Sequence, residues 1–285
     1  MVEQRLGGLL GRIHHVVSTL AGGARRRHSP LRQRMSPIYG HLLHALSAGR
    51  GVRAEINGQS FRLDPRFRGF IQPDYEADLA AMLRARMTSG QCCLDVGAHV
   101  GIYALQIARW TAPGGRLIAF EPNPGTAGVL RRHLRMNRLN HAVQVEEVAL
   151  GATPGRSLLF GGSGSGLSRL ASPNPDAPRS GGARTVAVST VDDYCGTHAV
   201  LPDWLLIDVE GFEFEVLAGA TETIRARGRS LSIVLEIHPT LWPLTGWTAS
   251  RASALFASLG RRPVPLVGQR DVLADYGSIE LAPVL

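Results

Sequence analysis

Five acidic residues and one histidine stand at or just after the ends of short apolar runs that are typical of buried strands. In an open parallel sheet, ligands bind beyond the carboxyl ends of the strands, where such residues would gather. Burying several unpaired carboxylates costs free energy, so a ligand site accounts for them better than a core does. The pattern predicts a site built from Asp95, Glu121, Asp208, Glu210, Glu236 and His238.

The turn at residues 95–101, with the sequence Asp-Val-Gly-Ala-His-Val-Gly, indicates the kind of ligand. Gly97 and Gly101 let the backbone pass close to a bound molecule, and the helix expected after Gly101 begins with unpaired N–H groups. A dinucleotide fingerprint has a further glycine between these two, which admits a pyrophosphate. Ala98 and His99 occupy that interval here, so the turn favours S-adenosylmethionine, which has no phosphate and whose ammonium an acidic turn can hold.

A carboxylate at the end of the second strand commonly accepts hydrogen bonds from both ribose hydroxyls of a cofactor. Glu121 follows Gly101 by 20 residues, which suits this role. A NAD(P)-dependent oxidoreductase is the main alternative, but the missing glycine and the absence of any Tyr-x-x-x-Lys pair argue against it. A cofactor-binding protein without catalytic activity is the other alternative, and the intact acids and His238 argue against that.

Alternating strand and helix patterns place these residues on a parallel sheet with right-handed crossovers. After the strand that opens at Cys92, we expect strands at 116–120, 143–150, 204–209, 231–237, 263–267 and 279–284. Helices are expected at 40–48, 75–87, 125–137 and 248–259, and a hairpin over 51–64 turns at Asn57-Gly58. Residues 151–185 are rich in glycine, serine and proline and predict an insertion that is either a lid or plain surface, flanked by short strands around 157–160 and 185–188.

Composition excludes several functions. The net charge is +8 with 31 basic residues, all of them arginine, so mechanisms that need a lysine are ruled out. The arginines are mostly scattered, so nucleic-acid binding is not expected. Three cysteines without metal or disulfide spacing indicate reduced thiols and a cytoplasmic protein, and no apolar run reaches the ~18–20 residues of a membrane span.

With these motifs in place, the chain resembles the FkbM-type S-adenosylmethionine-dependent methyltransferases over about residues 70–265. The resemblance rests on 95–101, on Phe120-Glu121-Pro122-Asn123, on the 207–213 block and on Leu235-Glu236-Ile237-His238, and Tyr75-Glu76, Val216-Leu217 and Gly219-Ala220 also match. It implies a class I, Rossmann-like α/β fold with a mostly parallel seven-stranded sheet and helices on both faces. Family members are mostly O-methyltransferases that act on hydroxyls of sugars, glycolipids and polyketide-type natural products. His99 and Leu206 depart from the family, which usually has Asn and often Lys there.

The resemblance also implies residue roles. His238 is the first candidate for the general base, because histidine titrates near neutral pH, and Glu236 would orient it. Asp208 and Glu210 are the alternatives for the base, and a turn cap beside Pro239 is the alternative role for His238. No compact metal-ligand spacing is present, so no metal is expected. The implied cofactor-binding residues are Glu76, Asp95, Gly97, Ala98, His99, Val100, Gly101, Glu121, Pro122, Asn123, Glu147, Val148 and Asp208.

Domain limits follow from the extent of the resemblance. Residues 1–60 form an N-terminal helical extension with a hairpin, and residues 61–285 form the methyltransferase domain. An amphipathic helix over 3–20, followed by the basic run 25–34, would pack on the main domain or on a second subunit of a homodimer. Weak peripheral contact with an anionic membrane is the alternative. The expected partner is a small hydroxylated acceptor.

Overall fold

The computed structural model describes residues 39–70, 72–162, 164–176 and 182–284. The helix predicted over 3–20 and the basic run after it lie outside the described residues. Residues 39–46 are helical, as expected for this region. Within the described ranges, no helix has both the length and the apolar character that a membrane span requires.

A seven-stranded sheet forms the centre of the molecule, as the sequence predicts. Its strands are β3 (Cys92–Val96), β4 (Arg116–Phe120), β5 (Val143–Glu146), β10 (Trp204–Ile207), β11 (Ser232–Ile237), β12 (Arg261–Pro265) and β13 (Gly277–Pro283). Their order across the sheet is β12-β13-β11-β10-β3-β4-β5, with β13 antiparallel to both its neighbours and the other pairs parallel. The chain order reverses between β3 and β10, so the carboxyl ends of these two strands mark a switch point where ligands bind.

Helices cover both faces of this sheet because successive residues of each buried strand point to opposite sides. Leu205 of β10 packs in one apolar cluster and Leu206, the next residue, packs in the other. The first cluster includes side chains of α4 (Val191–His198), α5 (Glu213–Ala218), α6 (Thr221–Arg227) and α7 (Ala249–Ser258). The second includes side chains of α1 (Ala77–Arg86), α2 (Ile102–Trp110) and α3 (Pro124–Met136).

The predicted hairpin is present as β1 (Val52–Ile56) and β2 (Gln59–Leu63), which turn at Asn57-Gly58. Ile56, Phe61 and Leu63 are buried in the same cluster as the helices α1, α2 and α3. A domain boundary after residue 60 is therefore wrong, because it cuts β2 and separates a hairpin that shares the main core.

The insertion contains the two short strands expected around 157–160 and 185–188, but they belong to a second, separate sheet. The strand predicted over 143–150 divides into β5 and β6 (Ala149–Leu150), because the chain leaves the central sheet after Glu146. β6 joins a second sheet of order β6-β9-β7-β8, with β7 (Gly155–Phe160), β8 (Arg169–Leu170) and β9 (Ala183–Ser189). Helix α4 was not predicted, although Thr190 caps it by accepting a hydrogen bond from the backbone N–H of Asp193 at 2.9 Å.

Candidate active site

A cavity of about 590 Å³ opens at the carboxyl edge of the central sheet. The predicted residues that line it are Glu76, Asp95, Gly97, Ala98, His99, Glu121, Pro122, Val148, Asp208, Glu210, Glu236 and His238. The structure thus brings together side chains that are more than 150 residues apart in the chain. Residues 165–168 of the insertion and Tyr276, just before β13, also line it, and the sequence analysis did not single these out.

The glycine turn after β3 packs tightly against the end of β10. Gly97 has a φ of 92°, and a Cβ atom built on it would lie 1.8 Å from the carbonyl oxygen of Asp208. The N–H groups of Gly97 and Ala98 both donate to the carbonyl of Phe120 at 3.0 Å, which ties the turn to β4 as well. Only glycine fits at position 97, and the ends of three strands converge there.

Asp95, in β3 just before this turn, is buried and only 7% exposed. Burial raises its pKa to about 7. Its Oδ2 atom has no hydrogen-bond partner among the described residues. A buried carboxylate oxygen without a partner costs free energy, so this atom is placed to accept a hydrogen bond from a ligand in the cavity.

Glu121 stands at the end of β4 and faces the same cavity. Burial raises its pKa to about 7, although it accepts hydrogen bonds from the backbone N–H groups of Asn123 and His99. The bond from Asn123 measures 2.8 Å. Asn123 also caps α3 by accepting from the N–H of Gly125 at 3.0 Å. Asn123 therefore supports Glu121 and starts the helix behind it, but it does not itself line the cavity.

Asp208, Glu236 and His238 also line the cavity and lie close together. One possible ligand atom from each lies within 4.8 Å of the others, so the trio is close enough to hold a divalent cation. Asp208 is open to the cavity, yet the protein atoms around it and the charges of Glu236 and Glu210 raise its pKa well above its usual value. A side-chain hydrogen bond with Glu236 raises the pKa of Asp208 further. Tyr276 donates a further hydrogen bond to Glu236.

His238 is held by Glu213, at the start of α5, and not by Glu236 as the sequence analysis expected. Nδ1 of His238 lies 2.6 Å from Oε1 of Glu213, and Nε2 lies 3.9 Å from Oε2 of Glu210. Burial alone lowers the pKa of His238. The hydrogen bond that His238 donates to Glu213 and the charges of Glu213, Glu210 and Glu236 outweigh burial and raise this pKa above its usual value. The contact leaves Nε2 to act on the cavity side.

Glu76 enters the site from the segment before α1. The hydroxyl of Tyr103 donates to its Oε2 at 2.9 Å, and the pKa of Glu76 is raised by burial and by the charge of Glu236. The hairpin supports this segment, because Nδ2 of Asn57 donates to the carbonyl of Tyr75 at 2.8 Å. The hairpin tip therefore helps to position one wall of the cavity.

Three other predicted cofactor residues lie away from the cavity surface. Val100 is buried, and Gly101 precedes α2 with a φ of 89°. Glu147 was wrongly included, because its side chain is exposed and pairs with Arg131. The chain leaves the central sheet at this point, so Glu147 turns to solvent while Val148 turns to the cavity.

Comparison with known proteins identifies the fold and the family. The model of the methyltransferase FkbM domain matches residues 95–262. The chain belongs to the FkbM methyltransferase family. This confirms the resemblance that the motifs indicate. Comparison with curated protein sequences finds no match.

Several solved methyltransferase structures are similar to this FkbM family member. One is the methyltransferase FkbM of Methylobacillus flagellatus KT, with 15% identity, a TM-score of 0.44, and coverage of 96% of this chain and 60% of that one. The chain thus spans about three fifths of the length of that protein. An O-methyltransferase from Bacillus cereus in complex with SAH has 12% identity, a TM-score of 0.42 and coverage of 74% and 82%. The O-methyltransferase TomG of Streptomyces achromogenes, in complex with SAM, has 13% identity, a TM-score of 0.43 and coverage of 73% and 79%.

S-adenosylmethionine is the cofactor of this family, and the residues present fit it. The unpartnered oxygen of Asp95 can accept from an ammonium or hydroxyl group, and Glu121 can accept from ribose hydroxyls. Among the residues that line the cavity, none is an arginine or a lysine, which suits a cofactor without phosphate.

Proposed function

We propose that this chain is an O-methyltransferase that moves a methyl group from S-adenosylmethionine to a hydroxyl of a sugar, glycoside, glycolipid or polyketide-type natural product. The observation that carries the proposal is the pair His238–Glu213. A histidine bonded through Nδ1 to a buried carboxylate, with Nε2 toward a cavity, has the arrangement of a general base. The cytoplasmic location that we propose is supported by three cysteines that are free thiols.

The bound cofactor would supply a methyl group that its sulfonium already activates. Glu121 would bind the ribose hydroxyls, and Asp95 and Glu76 would bind the ammonium of the amino acid part. These contacts would fix the cofactor in the cavity, and alignment of this kind can be worth roughly 7–11 kcal/mol.

His238 would take the proton of the acceptor hydroxyl at Nε2, which makes that oxygen a better nucleophile toward the methyl group that the cofactor would supply. Glu213 keeps Nδ1 protonated, so that the lone pair stands on Nε2, and it stabilises the imidazolium that forms. A base of this kind typically contributes ~10²–10⁴-fold to the rate. Asp208 and Glu210 border the same space and would accept hydrogen bonds from neighbouring hydroxyls of the acceptor.

The charge of the cavity supports an acceptor without phosphate groups. Six carboxylates line it, from Glu76, Asp95, Glu121, Asp208, Glu210 and Glu236. None of the arginines in the described residues does so, and arginine is the side chain that proteins use most for such anions. The aromatic rings of Tyr75, Tyr103 and Tyr276 also line the cavity and offer faces for a sugar or macrocycle to pack on.

Two measurements test the proposal. Calorimetric titration with S-adenosylhomocysteine and with NAD establishes the cofactor, and we expect binding of the first alone. Tight binding of NAD without S-adenosylhomocysteine would instead support an oxidoreductase. A methyl-transfer screen over hydroxylated sugars, glycosides and macrolides, with matched phosphorylated sugars, then identifies the acceptor. Transfer to the phosphorylated members alone would contradict the acceptor class.

A further inference from the structure

The loop after β10 holds Glu210 in an unusual backbone conformation. Its φ is 50°, in the left-handed region, and Gly211 follows with a φ of 90°. A non-glycine residue keeps such a conformation only where surrounding contacts fix it. The contacts that fix Glu210 come from the insertion at residues 151–185, for which the sequence predicted either a lid or plain surface.

Two buried side chains of the insertion bind Glu210 at both its side chain and its backbone. Nδ2 of Asn174 donates to Oε2 of Glu210 at 3.0 Å, and Nε of Arg169 donates to the carbonyl oxygen of Glu210 at 3.1 Å. Asn174 is 4% exposed and Arg169 is 1% exposed. Together they determine where the loop runs and which way the carboxylate points.

These two residues are themselves held firmly. Nη1 of Arg169 donates to the carbonyl of Ser172 at 3.2 Å and also to the Ser172 hydroxyl, and its guanidinium lies 5.4 Å from the ring of Phe212. Oδ1 of Asn174 accepts from the N–H of Asp176 at 3.0 Å, so its amide can present only Nδ2 to Glu210. The insertion is therefore a fixed support beside the loop.

The atom that Asn174 binds is the one that faces His238. Oε2 of Glu210 lies 3.9 Å from Nε2 of His238. The other groups that face this histidine are Glu213, Glu236 and the ring of Tyr276, whose centroid is 5.3 Å from that of His238. Among the described residues, Asn174 donates the hydrogen bond that holds the Glu210 carboxylate toward His238, and Arg169 fixes the backbone carbonyl of the same residue.

We propose that Arg169 and Asn174 are positioning residues, which keep the carboxylate of Glu210 against Nε2 of His238. Their importance for catalysis rests on the proposed function, in which His238 is the base. The position of the Glu210 carboxylate beside the His238 imidazole does not depend on the proposed function, because it is a matter of geometry alone.

Titration of His238 by nuclear magnetic resonance tests the geometry without any acceptor. The full-length protein would carry ¹⁵N-labelled histidine, with the signal assigned through His238→Gln. Because the Glu210 charge raises the pKa of His238, Glu210→Gln lowers it. We expect Arg169→Met and Asn174→Leu to lower it at least half as far, since each lets the Glu210 carboxylate move away. Arg156→Met, at an exposed arginine of β7, is the matched control and leaves it unchanged.

A wild-type His238 titration in folded Arg169→Met and Asn174→Leu proteins would overturn the proposal. Asn174→Ser is the milder change and serves where a buried variant does not fold, since serine is too short to reach Glu210. With an acceptor in hand, the same variants should lose between about 10-fold and 100-fold in kcat at an unchanged Kd for S-adenosylhomocysteine. A fully active His238→Ala enzyme would refute the base but leave the titration result standing, so the two failures are distinguishable.

Discussion

Nδ1 of His238 lies 2.6 Å from Oε1 of Glu213, a carboxylate that is completely buried at the start of α5. The same oxygen accepts from the N–H of Gly211 at 2.9 Å, so the loop that carries Glu210 and the helix that carries Glu213 are joined at the histidine. His238, the proposed base, is thus oriented by a residue on a helix rather than by its neighbour Glu236 on β11. The first two predictions follow from this contact.

We expect His238→Ala to lower kcat by about 10²-fold or more, because it removes the group that takes the acceptor proton. The Kd for S-adenosylhomocysteine should stay unchanged, since the proposed cofactor contacts come from Glu121, Asp95 and Glu76 and not from His238. Steady-state kinetics and calorimetry measure the two quantities. His141→Ala, at an exposed histidine before β5, is the control. An unimpaired His238→Ala enzyme would transfer the base to Asp208 or Glu210.

The pH dependence should follow the raised pKa of His238. Only the unprotonated imidazole can take a proton, so kcat should be low at acidic pH and rise through a pKa above the usual value for histidine. Glu213→Gln removes a charge that favours the imidazolium, so the inflection of the kcat–pH profile should move to lower pH while the maximum falls. Glu222→Gln, on the exposed surface of α6, should leave the profile in place. If the kcat–pH profile of Glu213→Gln matches that of the wild type, Glu213 does not influence the proposed base.

Much of the central fold is readable from the sequence because its strands are short, apolar and bounded by turns. The strand Arg116–Phe120 lies where it was predicted, and the hairpin turns at Asn57-Gly58. Asp95, Glu121 and His238 could be placed in one site, because the ends of parallel strands meet at one edge of the sheet. For residues at strand ends, the local sequence pattern and the topology of a parallel sheet are sufficient to predict that they share a site.

The residues that hold the site were not predictable in the same way. Glu213 was visible in the family motif, but its bond to His238 crosses 25 residues and depends on how α5 packs. Asn174 comes from a segment whose glycine and proline content indicated only a loop. Glu147 was wrongly assigned because nothing in the sequence marks the point after Glu146 at which the chain leaves the central sheet. The contacts between the insertion and the loop after β10 join segments that are far apart in the sequence, so no local pattern predicts them.

Glu121→Gln should weaken cofactor binding without abolishing methyl transfer. A hydrogen bond to a charged group contributes about 1.5–3 kcal/mol, so we expect the Kd for S-adenosylhomocysteine to rise by about 10-fold to 100-fold. At saturating S-adenosylmethionine, kcat should stay close to wild type, because Glu121 does not contact the acceptor end. Glu147→Gln, at the exposed carboxylate on the same edge, is the matched control. Equal Kd values for the two variants would show that Glu121 does not bind the cofactor.

Removal of metal ions should leave activity unchanged. Asp208, Glu236 and His238 are close enough to hold a cation, but Nε2 of His238 must keep its lone pair for the acceptor proton. Asp208 and Glu236 already share a hydrogen bond, and Tyr276 donates to Glu236. Kinetics before and after dialysis against EDTA test this. Loss of activity that Mg²⁺ or Mn²⁺ restores would make the trio a metal site and end the role of His238 as base.

Gly97→Ala should destabilise the protein far more than a glycine-to-alanine change at a comparable backbone conformation. Gly97 and Gly58 both have positive φ, 92° and 72°, so an alanine at either meets backbone strain of about 1–2 kcal/mol. A Cβ at Gly58 meets nothing within 4 Å, whereas a Cβ at Gly97 lies 1.8 Å from the carbonyl oxygen of Asp208. The clash must separate the glycine turn from the end of β10, and overpacking of this kind adds about 1–3 kcal/mol.

Urea unfolding of the two variants measures the difference between strain and clash. We expect Gly58→Ala to lose about 1–2 kcal/mol of unfolding free energy, and Gly97→Ala to lose about 2–5 kcal/mol. Because the turn carries Asp95 and touches Asp208, the Gly97→Ala protein should also bind S-adenosylhomocysteine more weakly, while Gly58→Ala binds it normally. Equal losses in stability and affinity for both variants would mean that the turn tolerates a side chain, and that its approach to β10 does not shape the cofactor site.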